Sequence, residues 1–166
     1  LRARERILGE LTRELTCGAG ELAAAVHSLK TQLKSRELAL SHSEKRLAAL
    51  LAERLLADTA PAAGGLRLVR YRLTEGSPGL LQALFQALAS SHGTVVCLAA
   101  EARWLVGCSE DLELPLNAVV PPLLPLIEGK GGGRGRLLQG TALRPEGWPQ
   151  FCEHLAAALT GLSQGV

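Results

Sequence analysis

The chain has 166 residues, of which 47% are hydrophobic but only 3% aromatic, and a formal net charge of +2. So few rings leave little platform for stacking bases, and so small a charge excludes a chain-wide polyanion-binding surface; any cationic grip has to be local. The length suits one ordinary domain, or a helical segment plus a small domain with a core of Leu, Ala and Val.

At the N-terminal end Ile7, Leu8, Leu11 and Leu15 line one side of a first helix, and TCGAG, Thr16 to Gly20, breaks it. From Leu22 the apolar positions Leu22, Val26, Leu29, Leu33, Leu40, Leu47 and Leu50 step by three, four or seven. That spacing predicts a second helix to about Ala57, with a stripe as narrow as a coiled-coil seam. Residues 1–58 are therefore expected to form a helical hairpin. The seam packs either on the hairpin's own partner and the following domain or on a second copy of the chain. The seven-residue recurrence at Leu33, Leu40 and Leu47 favours the homodimer, although Arg36 and Ser43 interrupt it.

Residues 59–65, rich in Ala, Gly and Pro, read as a linker. Residues 66–166 then change period. Strands are expected at LRLVRYRL from Leu66, TVVCLAA from Thr94, RWLVGC from Arg103 and RLLQGTAL from Arg136. Helices are expected from the capping Ser77 with Pro78 to Ser91, over the proline-interrupted Leu116–Gly129 run, and at the end with a Phe151, Leu155, Leu159, Leu162 stripe. The fold class is α/β: a long N-terminal helical hairpin followed by a small α/β domain of about four strands and three helices. Arg70 and Arg72 share one face of the first strand and Arg67 the other, so they either extend a cationic surface or guard an exposed edge.

The cysteines Cys17, Cys97, Cys108 and Cys152 have no C-x-x-C spacing and read as reduced, mostly buried thiols. Cys152 and His154 stand two apart, on different faces of a helix, and cannot share a zinc ion. No apolar run approaches the roughly 20 residues that span a bilayer, and the first residues lack the apolar core of a signal peptide, so a cytoplasmic protein without membrane partners is expected. The chain starts at Leu1 and contains no Met. It is expected to be part of a longer protein.

The most unusual stretch is GKGGGRGRLLQG, Gly129 to Gly140. It is expected as a glycine-rich loop over 129–135, leaving a helix and entering a strand. A phosphate-binding P-loop needs a Lys-Ser/Thr ending between strand and helix, and a dinucleotide fingerprint needs strand then helix with G-x-G-x-x-G spacing; neither fits. What remains is a nest of consecutive amides flanked by Lys130, Arg134 and Arg136, with a phosphate or carboxylate as ligand, or else a plain glycine turn with solvated cations.

EGKGGGRGRLLQGTA, Glu128 to Ala142, placed after an apolar helix and before a last helix, resembles the glycine-rich signature of the DHH-associated domain. It is similar to the form at the C-terminus of alanyl-tRNA synthetases and of free-standing alanyl-tRNA editing proteins, which also carry a long helical segment ahead of the domain. The absence of an R-P-x-x-A-Q pattern and the Q-G-x-A ending look more like the free-standing editors than the synthetases. The resemblance implies a tRNA-binding and dimerisation module of an alanyl-tRNA editing protein. Alanine tRNA is the expected partner, with Lys130, Gly131, Gly132, Gly133, Arg134, Arg136, Gln139 and Gly140 as the nucleic-acid-binding residues. The family's editing zinc site uses H-x-x-x-H and C-x-x-x-H patterns that this sequence lacks, so no catalytic residue and no cofactor is expected here, and zinc is expected in an upstream editing domain. The resemblance also leaves open a synthetase C-terminal domain, the substrate-gripping domain of a DHH-type phosphoesterase acting on oligonucleotides or dinucleotides, and a pure assembly module.

Overall fold

A computed structural model describes residues 2–62 and 65–163, without the side chains of residues 162 and 163. The side chain of Leu162 in the expected last stripe and residues 63–64 of the expected linker thus lie outside what is described. The chain divides into two units, residues 1–43 and 44–166.

In the first unit α1 spans Arg2–Glu14. The chain leaves it through Thr16, at φ 50°, a left-handed conformation that stops a helix. A 3-10 turn follows at Ala19–Glu21, where the Glu21 carboxylate accepts from the Gly18 amide at 3.0 Å. Helix α2, Leu22–Asp58, then runs on into the second unit. Both helices and the break between them lie where expected. Among the described residues up to Ser43 none is buried, so α1 and this part of α2 share no core; Val26, Leu29, Leu33 and Leu40 stand exposed.

The second unit is built on a five-stranded mixed sheet in the order β1-β2-β3-β5-β4, of β1 Arg67–Leu73, β2 Thr94–Ala100, β3 Arg103–Cys108, β4 Gly129–Arg134 and β5 Leu137–Ala142. β1 and β2 are parallel, joined through helix α3, Pro78–Ala89; the other pairs are antiparallel. The cap expected at Ser77 is present: the Leu80 amide donates to its Oγ at 3.0 Å, and the same hydroxyl meets the Glu44 carboxylate of α2.

Every residue of β2 is buried, because it is covered on both faces. On one face Val96, Leu98 and Ala100 pack with Leu105 of β3, with Leu80, Leu84, Phe85 and Leu88 of α3, and with Ala48 and Ala52 of α2. On the other, Val95, Cys97 and Ala99 pack with Trp104 and Val106 of β3 and with the C-terminal helical layer. That layer contains the short α4, Leu116–Val119, a 3-10 helix, Pro121–Ile127, and α5, Trp148–Ser163. The helix interrupted by prolines is thus realised as two short pieces. Phe151, Leu155 and Leu159 are buried as the stripe requires.

Two expectations change. The domain has five strands rather than about four, and the stretch expected as a glycine loop is strand β4. An anion nest needs successive amides turned to one side, whereas an extended strand turns them alternately to opposite sides, so β4 is no nest. The only turn in the stretch is Gly135–Arg136, between the paired Arg134 and Leu137. Its first residue, Gly135, has φ +68°, as a two-residue hairpin turn asks of a glycine.

Candidate nucleic-acid interface

The glycines of β4 and β5 allow the two backbones to lie close together. A Cβ on Gly131 would strike the Gln139 carbonyl, one on Gly133 the Leu137 carbonyl, and one on Gly140 the Lys130 carbonyl. Gly131 also sits at φ +153°, which side chains resist. Gly132 is different: nothing lies within 4 Å of where its Cβ would be.

Strand register then decides which side chains meet. Residues directly opposite in an antiparallel pair point to the same face. Arg103 of β3 is opposite Thr141 of β5, which is opposite Lys130 of β4. In the next row of that face Leu105, Gln139 and Gly132 align, and in the third Gly107, Leu137 and Arg134. Leu105 and Leu137 of this face belong to the core under α3. Beyond α3 the face is open: Arg103, Lys130, Gly132, Arg134, Gln139 and Thr141 are all exposed. Arg103, Lys130 and Arg134 take part in no ion pair among the described residues.

Clefts lie at both ends of this surface. One, of about 290 Å³, is bounded by Pro78, Leu81 and Gln82 of α3 and by Arg103, Gln139 and Thr141 of the sheet. The other, of about 760 Å³, lies between Phe85, Gln86 and Ser90 and Arg134 with the turn residues Gly135 and Arg136. Its floor is electrically mixed. Arg136 is bound to Glu110 at 3.1 Å. The Asp111 carboxyl, which accepts from the Gly93 amide at 2.8 Å, is held below the usual carboxylate range by hydrogen bonds from the Ser109 side chain and that amide.

Of the residues expected to bind nucleic acid, Lys130, Gly132, Arg134 and Gln139 share this open face. Gly131, Gly133 and Gly140 have their backbones turned to the other face and serve the close strand approach. Arg136 stands in the turn, engaged by Glu110. Sequence reasoning missed Arg103 and Thr141. Alternation in RWLVGC puts Arg103 on one face with Leu105, but only the β3–β5 register shows that it lies in line with Lys130.

Arg67, Arg70 and Arg72 do not extend the surface, because β1 is the opposite edge of the sheet. Four strand spacings separate it from β4, about 19 Å. There Arg72 donates to the Pro145 carbonyl at 3.3 Å, and the Arg67 Nε is buried without a partner among the described residues. In α5, Cys152 is buried and His154 exposed, with its Nδ1 at 2.8 Å from the Gln150 carbonyl. Among the described residues no three His, Cys, Asp or Glu side chains stand together as a metal would require, and no helix is long and apolar enough to cross a membrane.

No protein-family model matches the chain. Alanine-tRNA ligase of Mycobacterium ulcerans (strain Agy99) is 30% identical over 174 residues, covering 95% of this chain and 19% of the ligase. That of Roseiflexus castenholzii (strain DSM 13941 / HLO8) is 29% identical over 153 residues, covering 87% and 17%. The chain therefore spans less than a fifth of the length of these curated relatives. Among solved structures, the C-Ala domain from Aquifex aeolicus alanyl-tRNA synthetase matches with TM-score 0.51 at 23% identity, over 58% of this chain and 96% of that one. RecJ in complex with Mg2+ from Thermus thermophilus matches with TM-score 0.53 at 20% identity, over 85% and 20%. These two likenesses are of fold.

Proposed function

Starting from a chain that is distantly homologous to the C-terminal region of alanyl-tRNA synthetases and shares a fold with RecJ, we propose that it is the C-terminal tRNA-binding module of an alanyl-tRNA synthetase-type protein, acting on alanine tRNA in the cytoplasm. The relatives named above are ligases, which moves the preference from the free-standing editor to the synthetase.

One observation carries the RNA-binding part: Arg103 and Lys130 in one cross-strand row and Arg134 two rows away, exposed and without ion pairs among the described residues. Unpaired cations on a flat face neutralise phosphates, whereas cations already paired with carboxylates must first give them up. Gln139, at the centre beside the side-chain-free Gly132, is within one row of both ends and can hydrogen-bond a sugar or base edge. Phosphate contacts position an RNA without specifying it, so this surface supplies grip, and identity is read elsewhere.

The test is binding of the 166-residue chain to alanine tRNA over a salt series, beside the Arg103, Lys130, Arg134 triple-alanine variant. The triple variant is expected to weaken binding and to flatten the plot of log affinity against log salt by roughly 2–3 units. Arg136→Ala should change the slope by less than one unit, since Glu110 already neutralises that cation. Equal slopes for wild type and triple variant would overturn the proposal.

The homodimer belongs to the same proposal. Leu33, Leu40 and Leu47 are 58%, 59% and 46% exposed at seven-residue spacing on α2. A partner helix would cover them as knobs in a seam. Sedimentation of the wild-type chain is expected to give a dimer that Leu33→Asp with Leu40→Asp converts to a monomer. A wild-type monomer at tens of micromolar concentration would remove the dimer from the proposal.

A further inference from the structure

Two thiols that neither the fold comparison nor the RNA-binding surface accounts for meet in the core beneath the sheet. Cys97, in the middle of β2, and Cys152, in the first turns of α5, are both free, with sulfurs 3.4 Å apart. They are 55 residues apart in sequence, so the contact is made by packing α5 on the sheet rather than by local chain geometry. At that distance the two sulfurs are in van der Waals contact, and a disulfide would bring them to a bond length of about 2.05 Å.

We infer that Cys97 and Cys152 form a reversible disulfide when the protein meets a peroxide, fastening α5 to the central strand β2. The site is distinct from the cationic face: β2 directs Cys97 to the layer of α5, whereas Lys130, Gln139 and Arg134 lie on the α3 side of the sheet.

The two sulfurs have different roles. Cys97 is fully buried, and burial holds its thiol well above the ordinary range. Cys152 retains 4% exposure, and its thiol is pulled down by its hydrogen bond with Cys97 against the opposing effect of burial, with Arg70 of β1 also favouring its thiolate and Glu153 opposing it. Cys152, which alone of the two keeps some exposure, is the one a peroxide reaches first and so the first nucleophile. Its thiolate attacks one oxygen of hydrogen peroxide; the O–O bond breaks, hydroxide leaves and takes up a proton as water, and Cys152 becomes a sulfenic acid. The Cys97 sulfur then attacks the Cys152 sulfur; the S–O bond breaks, and the hydroxyl leaves as water with the Cys97 proton. In sum two thiols are oxidised to a disulfide and one peroxide is reduced to two waters.

The experiment uses the wild-type 166-residue chain, so it does not depend on a core variant folding. After brief hydrogen peroxide treatment the protein is alkylated in denaturant and digested without reductant. The expected result is a peptide pair joined through Cys97 and Cys152, about 2 Da lighter than the two reduced peptides, with Cys17 and Cys108 alkylated and the link lost on treatment with dithiothreitol. Closing so long a loop should also raise the Tm by roughly 5–15 °C. Cys97→Ser should leave a Cys152 sulfenic acid that dimedone captures. Four alkylated thiols, a sulfinic Cys152 with no link, or a link through Cys17 or Cys108 in place of this pair would each overturn the inference.

Discussion

Phe151→Ala is expected to cost about 3–5 kcal/mol of folding free energy, a large share of the 5–15 kcal/mol of an ordinary domain. Phe151 is fully buried at the start of α5 and stacks on Trp148 with ring centroids 5.2 Å apart and planes at 11°. The loss has two parts. The removed ring no longer leaves water on folding, and the cavity it vacates is lined by parts that cannot close on it, namely the sheet on one side and the proline-rich 3-10 helix on the other. The one ring stacked on Phe151, that of Trp148, would lose its partner and face the cavity. Urea unfolding followed by the fluorescence of Trp104 and Trp148, both in this core layer, measures the effect. A loss under 1 kcal/mol would mean that α5 is not held on the sheet as described.

Gly140→Val is expected to cost about 3 kcal/mol or more, because its Cβ would fall on the Lys130 carbonyl and must push two paired strands apart. The useful comparison is Gly132→Ala, eight residues earlier and on the adjacent strand. There the added methyl enters open space, and a residue that loses less entropy than glycine replaces one that loses the most. That change should stay within about 0.5 kcal/mol of wild type or stabilise it slightly. The pair separates two explanations of a glycine-rich segment. If both substitutions were equally harmful, a general need for flexibility would be at work; if only Gly140→Val is, the need is for close backbone approach. The same urea titration, read by tryptophan fluorescence, decides between them.

The glycine segment is also where the sequence was least legible. Strands announce themselves by the alternation of side chains, and GKGGGR has too few to alternate. Its extended form comes from pairing with β5, a tertiary cause with no local signature. By contrast TVVCLAA and RWLVGC, with their buried β-branched and aromatic residues, gave strand bounds that the structure reproduces. The Ser77–Pro78 pair marked the start of α3 as surely, because capping is chemistry between residues three apart. The candidate site was half legible for the same reason. Lys130, Arg134 and Gln139 stand within one recognisable stretch, whereas Arg103 joins them only through a register fixed across three strands. The Cys97–Cys152 contact depends on how a terminal helix packs on a central strand, and spacing along the chain carries no trace of it.

The order β1-β2-β3-β5-β4 leaves the sheet with two open ends. An open end is a template for uncontrolled growth, since its unpaired backbone groups can bind the end of another molecule's sheet. Here one end carries Arg67, Arg70 and Arg72 and the other Lys130 and Arg134. Any stacking of two copies by their sheet ends, like on like or one on the other, brings cation against cation. Like charge at both ends thus opposes fibre-like self-association of the chain.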